Sequence, residues 1–108
     1  MTTRQIAENV TKLLRQGQFE TVYDDYFDTE QVRHIEPQSP FFLDLTGIKA
    51  LKEKDTQMQA NIASVDRMEV GDPVLAKSHF AIPYKMAITM NDGNKMELDE
   101  IIVYEVQN

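Results

Sequence analysis

The sequence predicts an α+β domain, helices first and antiparallel sheet last, on the strength of three observations. Apolar residues recur at helical spacing up to about residue 62, strict alternation takes over from about Ser64, and Asn91-Asp92-Gly93-Asn94 marks a hairpin inside the alternating part. At 108 residues the chain has the size of one domain, and nothing in it reads as a repeat, a low-complexity tract or a linker, so residues 1–108 are taken as one unit.

The elements follow in order. Ile6, Val10, Leu13 and Leu14 form the stripe of a first helix, which Thr2 or Thr3 caps and Gly17 ends. Phe19, Val22, Tyr23 and Tyr26 make the stripe of a second, short helix. Val32-Arg33-His34-Ile35-Glu36-Pro37 reads as a short strand, and Gln38 to Leu45 as a loop carrying the apolar Phe41, Phe42 and Leu43. Thr46 is expected to cap a third helix with Ile48, Leu51, Met58 and Ile62 inward and Lys49, Lys52 and Lys54 in solvent. Val65, Met68 and Val70 then lead to a bend or bulge at Gly71-Asp72-Pro73. Val74-Leu75-Ala76 resumes the strand, and Phe80, Ile82, Tyr84, Met86, Ile88 and Met90 give the clearest alternation in the chain. A last strand runs from Lys95 to about Val106, completing a three-strand meander.

Composition excludes several functions. The net charge of −7, with no cluster of Lys or Arg, disfavours nucleic acid and anionic lipid as partners. With no cysteine there is no disulfide, thiolate nucleophile or thiolate metal site. His34 and His79 stand apart from any acid at ligand spacing, so no metal is expected, and no glycine pattern suggests a phosphate or nucleotide cofactor. The first residues resemble neither a signal peptide nor a lipidation motif, and no apolar run reaches membrane-spanning length, so the reading is a soluble cytoplasmic protein.

Several side chains are candidates for chemistry. His34 and Glu36 share one face of their strand, where a carboxylate would favour the charged imidazole and make an acid/base pair; the alternative is a solvated strand edge. Glu100 alternates with Met96, Leu98, Ile102 and Tyr104 on an otherwise apolar line. A bulge would exchange it for Asp99, and a structural ion pair is the competing role. Of the tyrosines, Tyr84 sits mid-strand between Ile82 and Met86 and is the best placed to donate to an oxyanion. Tyr23 and Tyr26 read as core or pocket lining, as Met86 does.

Five words in order resemble the SnoaL-like branch of the nuclear transport factor 2-like superfamily: Leu14-Arg15-Gln16-Gly17-Gln18-Phe19-Glu20, Tyr26-Phe27-Asp28, Ile35-Glu36-Pro37, Leu45-Thr46-Gly47-Ile48-Lys49-Ala50-Leu51 and Leu98 through Val106. The resemblance implies a cone, a strongly curved antiparallel sheet wrapped around the N-terminal helices with an apolar pocket for a small ligand. It also implies homodimers formed through the exposed face of the sheet, and it puts Glu36 close to the pocket mouth. Members include isomerases, cyclases, dehydratases and hydrolases, alongside proteins that only bind ligands or partners. The acids and tyrosine of ketosteroid isomerases and the Arg/Asp set of limonene epoxide hydrolases find no match here, residue by residue. Relatives usually add a turn and a further strand where this sequence reaches Gln107-Asn108, so either the protein lacks the final strand or the chain is a shortened version, and in both cases the preceding sheet edge is expected to be less covered. Three functions follow as expectations: a small-molecule pocket protein, an acid/base enzyme on a small apolar substrate, and a dimerisation module whose cone is filled by its own side chains.

Overall fold

Thr2 opens the first helix, α1 (Thr3–Arg15), with a reciprocal cap: its hydroxyl accepts from the Gln5 amide at 3.1 Å, and its own amide donates to Gln5 Oε1 at 2.9 Å. Of the two threonines the sequence offered, Thr2 takes the cap. The helix ends at Gly17, whose φ of 72° lets Gln18 N reach Leu13 O at 2.9 Å and Gly17 N reach Leu14 O at 3.0 Å. The computed structural model describes residues 1–28, 30, 33–35 (backbone alone at 34 and 35) and 44–107.

The remaining elements are α2 (Phe19–Tyr26), β1 (Arg33–Ile35), β2 (Asp44–Thr46), α3 (Ile48–Asn61), β3 (Ile62–Val70), β4 (Val74–Leu75), β5 (His79–Met90) and β6 (Lys95–Glu105). β5 is the spine of a curved antiparallel sheet. β6 pairs with one side of it without a break, from His79 opposite Glu105 to Thr89 opposite Lys95. β3 and then β4 share the other side, and β3 slips register between Ile62 and Ser64 and between Val65 and Arg67. The bend between β3 and β4 is close-packed at a glycine. Gly71 N donates to Pro83 O at 2.9 Å, and a Cβ at Gly71 would stand 3.1 Å from the proline ring.

Alternation sends Phe80, Ile82, Tyr84 and Ile88 inward, and all four are buried. The base of the concave face is sealed by α1 and α2: Ala7, Val10, Leu14 and Val22 pack against Phe80 and Ile82 in one cluster. This covered stripe is the main apolar burial of the fold, and it holds both helices to the sheet. α3 is fastened more lightly, with Leu51 its one buried residue among those described.

Three expectations need correction. β2 takes up the end of the stretch read as loop together with Thr46, and pairs with β1 in a separate two-stranded ladder; Arg33 Nε donates to Asp44 Oδ1 at 2.8 Å, with Nη2 on the other carboxylate oxygen. The residue before α3 is Gly47, at φ 90° and with no side-chain cap, in place of Thr46. The strand after α3 starts at Ile62, so that residue is in the sheet and no longer in the helix. Glu36, Phe41, Phe42 and Leu43 lie outside the described residues.

Candidate functional site

The inner face of the sheet reads as rows of facing residues. Leu75, Phe80 and Tyr104 form the row nearest the base, Val70, Tyr84 and Glu100 the middle one, and Met68, Met86 and Leu98 the next. The unbroken β5–β6 register decides the parity that the sequence left open. Glu100 stands beside Tyr84 on the inner face, and Asp99 stands on the outer face opposite Lys85. Glu100 is itself exposed, as is Asp99, so the inner face is open towards β6.

Tyr84 is 7 % exposed. Its hydroxyl donates to the Met68 thioether at 3.5 Å, a long contact to a weak acceptor. Burial raises its pKa, and the carboxylates of Glu100 and Asp55 raise it further, to about 12. The phenol is therefore a protonated donor at neutral pH, set within electrostatic reach of two acids from different elements.

Asp55 comes from α3 and bonds Tyr23 of α2. Tyr23 Oη donates to Asp55 Oδ2 at 2.6 Å, a charge-assisted hydrogen bond. Burial raises the Tyr23 pKa far above the ordinary phenol value, with the Asp55 hydrogen bond adding to it; Tyr104 is raised chiefly by burial. A chain of rings connects them. Tyr23 and Phe27 centroids are 5.2 Å apart, Phe27 and Tyr104 are 6.1 Å apart, and Tyr104 stacks on Phe80 at 4.7 Å. A second tie between the helices, Lys52 Nζ to Asp24 Oδ1 at 2.8 Å, engages a lysine expected only in solvent.

Asp55 was not anticipated, yet a signal existed. Ile48, Leu51 and Met58 were assigned to one helical stripe, and position 55 falls four residues after 51 and three before 58, on the same face. An acid in an apolar stripe needs a donor, and Tyr23 supplies it. Asp55 also walls a cleft of about 300 Å3 between the start of α2 and α3, together with Phe19, Glu20, Thr56 and Gln59. A hollow of about 620 Å3 lies along α3 beside Ile48, Lys52 and Thr56.

The other sequence candidates are dispersed. Tyr26 is half-buried against the helix–sheet core, Met86 is half-buried on the inner face, and His79 is exposed within β5, its ring 3.3 Å from the Ser78 hydroxyl. His34 lies in β1 opposite Leu45, and its side chain and Glu36 are outside what is described. Among the described residues no group of three His, Asp or Glu could hold a metal ion, and no helix is long and apolar enough to cross a membrane.

Comparison with known proteins adds the lineage. One solved structure, from Mesorhizobium loti and named as a candidate SnoaL-like polyketide cyclase with carbohydrate phosphatase as a second label, superposes with a TM-score of 0.91 at 28% identity, over 100% of this chain and 92% of that one. A second, an NTF2-like protein of unknown function from Burkholderia pseudomallei, superposes at 0.69 over 97% of this chain and 81% of that one; at 16% identity it speaks to the fold alone. No curated protein matches. The family model of the SnoaL-like domain matches residues 1–108, and this chain belongs to that family.

Proposed function

We propose that the chain binds a small, largely apolar molecule between α3 and the inner face of β5 and β6, with Tyr84, Asp55 and Glu100 as polar anchors. The observation that carries this reading is the partnering of Tyr84. A phenol this buried ordinarily finds a strong acceptor, and here it has only a thioether, which a ligand oxygen or nitrogen improves on. Met68, Met86, Met90 and Met96 line the same face and adapt to a guest at little cost. Titration of the protein, labelled with 13C at the methionine methyls, with small alicyclic alcohols tests it. Saturable shifts at Met68 and Met86, absent at Met1 and weakened by Tyr84→Phe, are expected; uniform or non-saturating shifts would refute it.

The likeness to the named cyclase at 28% identity supports a second reading, in which the same groups move a proton. Tyr84, held protonated, stabilises a developing oxyanion, while Glu100 or Asp55 accepts a proton. His34 and Glu36 enter this reading as the acid/base pair that strand alternation puts on one face, Glu36 also through the family resemblance.

The partner we propose is a second copy, docked on the convex face. Val74, Ala81 and Val103 form one row there and Pro83 with Ile101 the next, and Val74, Ile101 and Val103 are 69%, 69% and 65% exposed. That contiguous apolar patch is the kind a self-complementary interface covers.

A further inference from the structure

We infer that the molecule taken up on the concave face carries a cationic head, a protonated amine on an apolar body; this rests on the ligand reading above. The polar groups gathered there are acceptors in want of donors. Tyr84 is 7 % exposed, its hydrogen is directed at Met68, and among the described residues its oxygen accepts no hydrogen bond. Among the described residues, Asp55 uses one carboxylate oxygen for Tyr23 and Glu100 receives no hydrogen bond. An alkylammonium has three N–H donors and no acceptor, the complement of this set. A hydroxyl has one donor to offer, and a carboxylate has none.

Charge points the same way. The ionisable side chains on the inner face of the four-stranded sheet are Tyr84, Glu100 and Tyr104, and none is a cation. Arg67, Lys85 and Lys95 all project from the outer face by register. Nearby cations are committed elsewhere: Arg15 to Val70 O and Asp72, and Lys52 to Asp24. Among the described residues an anionic ligand would thus meet two carboxylates with no counter-charge from the inner face, whereas an ammonium meets both favourably. Tyr23, which bonds Asp55, begins a run of rings through Phe27 to Tyr104, and a π face attracts an organic cation. A net charge of −7 also raises the local concentration of cations and lowers that of anions.

Three probes of one shape separate the inference from the reading beneath it: cyclohexylmethylamine, cyclohexylmethanol and cyclohexanecarboxylate, titrated at pH 7 into the intact protein and followed at the Met68 and Met86 methyls. The amine is expected to bind about tenfold more tightly than the alcohol, and the carboxylate more weakly than either. Glu100→Gln should weaken the amine more than the alcohol and bring the two to within about twofold of each other. Equal affinity for amine and alcohol, or tighter binding of the carboxylate, overturns the cationic class and leaves the ligand reading standing. Absence of a saturable shift with all three probes overturns the ligand reading, and this inference with it.

Discussion

Tyr23 and Asp55, 32 residues apart, meet through a 2.6 Å hydrogen bond that joins α2 to α3 across the rim of the concave face. The bond has two consequences. It holds a carboxylate in place near Tyr84, and it gives α3 a polar attachment where apolar contact is scarce. Tyr23→Phe is expected to lower stability by about 1–2 kcal/mol, because Asp55 loses a charge-assisted partner. Urea unfolding measures this, and an unchanged midpoint would show that the bond contributes nothing.

Alkaline stability should follow Tyr84. Its folded pKa of about 12 lies above the ordinary phenol value of 10.0, so between those values the unfolded chain loses a proton that the folded one keeps. The stabilising contribution is therefore complete below about pH 10 and falls as the pH climbs towards 12. Phenolate absorbance near 295 nm and the unfolding midpoint should change together over that window, and Tyr84→Phe should remove part of both.

The bend at Gly71 offers a steric test. Gly71→Ala would press a methyl group to 3.1 Å from Pro83 while the Gly71–Pro83 backbone hydrogen bond pins the two together. A loss of about 1–2 kcal/mol is expected, with the fold kept by circular dichroism. A neutral outcome would mean that the β3–β4 bend yields easily.

The convex patch makes a prediction about mass. Light scattering should give twice the chain mass for the wild type and the single-chain mass for Ile101→Lys with Val103→Glu. The substituted side chains already lie in solvent within one chain, so the thermal midpoint of the dilute monomer should move little. A monomeric wild type would remove the proposed second copy.

How much of this was legible in the residues depends on where each signal resides. β5 and β6 were readable because burial on one face imposes a period of two. Once the register is unbroken, the same parity puts Glu100 beside Tyr84 and Asp99 beside Lys85. β2 was not readable. Asp44-Leu45-Thr46 is too short for a period and owes its strand geometry to β1, with Arg33 gripping Asp44. Asp55 fell between, for its place in the Ile48–Met58 stripe was visible and its partner, on another helix, was not. The cap at Gly47 in place of Thr46 illustrates the same limit: a side chain suited to capping was present, and the backbone turned one residue later.

The uneven fastening of the helices has a dynamic consequence. α1 is anchored by four buried side chains, so its amides exchange only when the whole core opens. α3 rests on Leu51, the two ties to α2, and a stitch at its far end, where Asn91 bonds Ala60 O at 2.6 Å and Asn61 O at 2.9 Å. That stitch fixes one end of the helix to the β5–β6 turn. With one buried side chain against four, the amides of α3 should exchange with solvent well before those of α1.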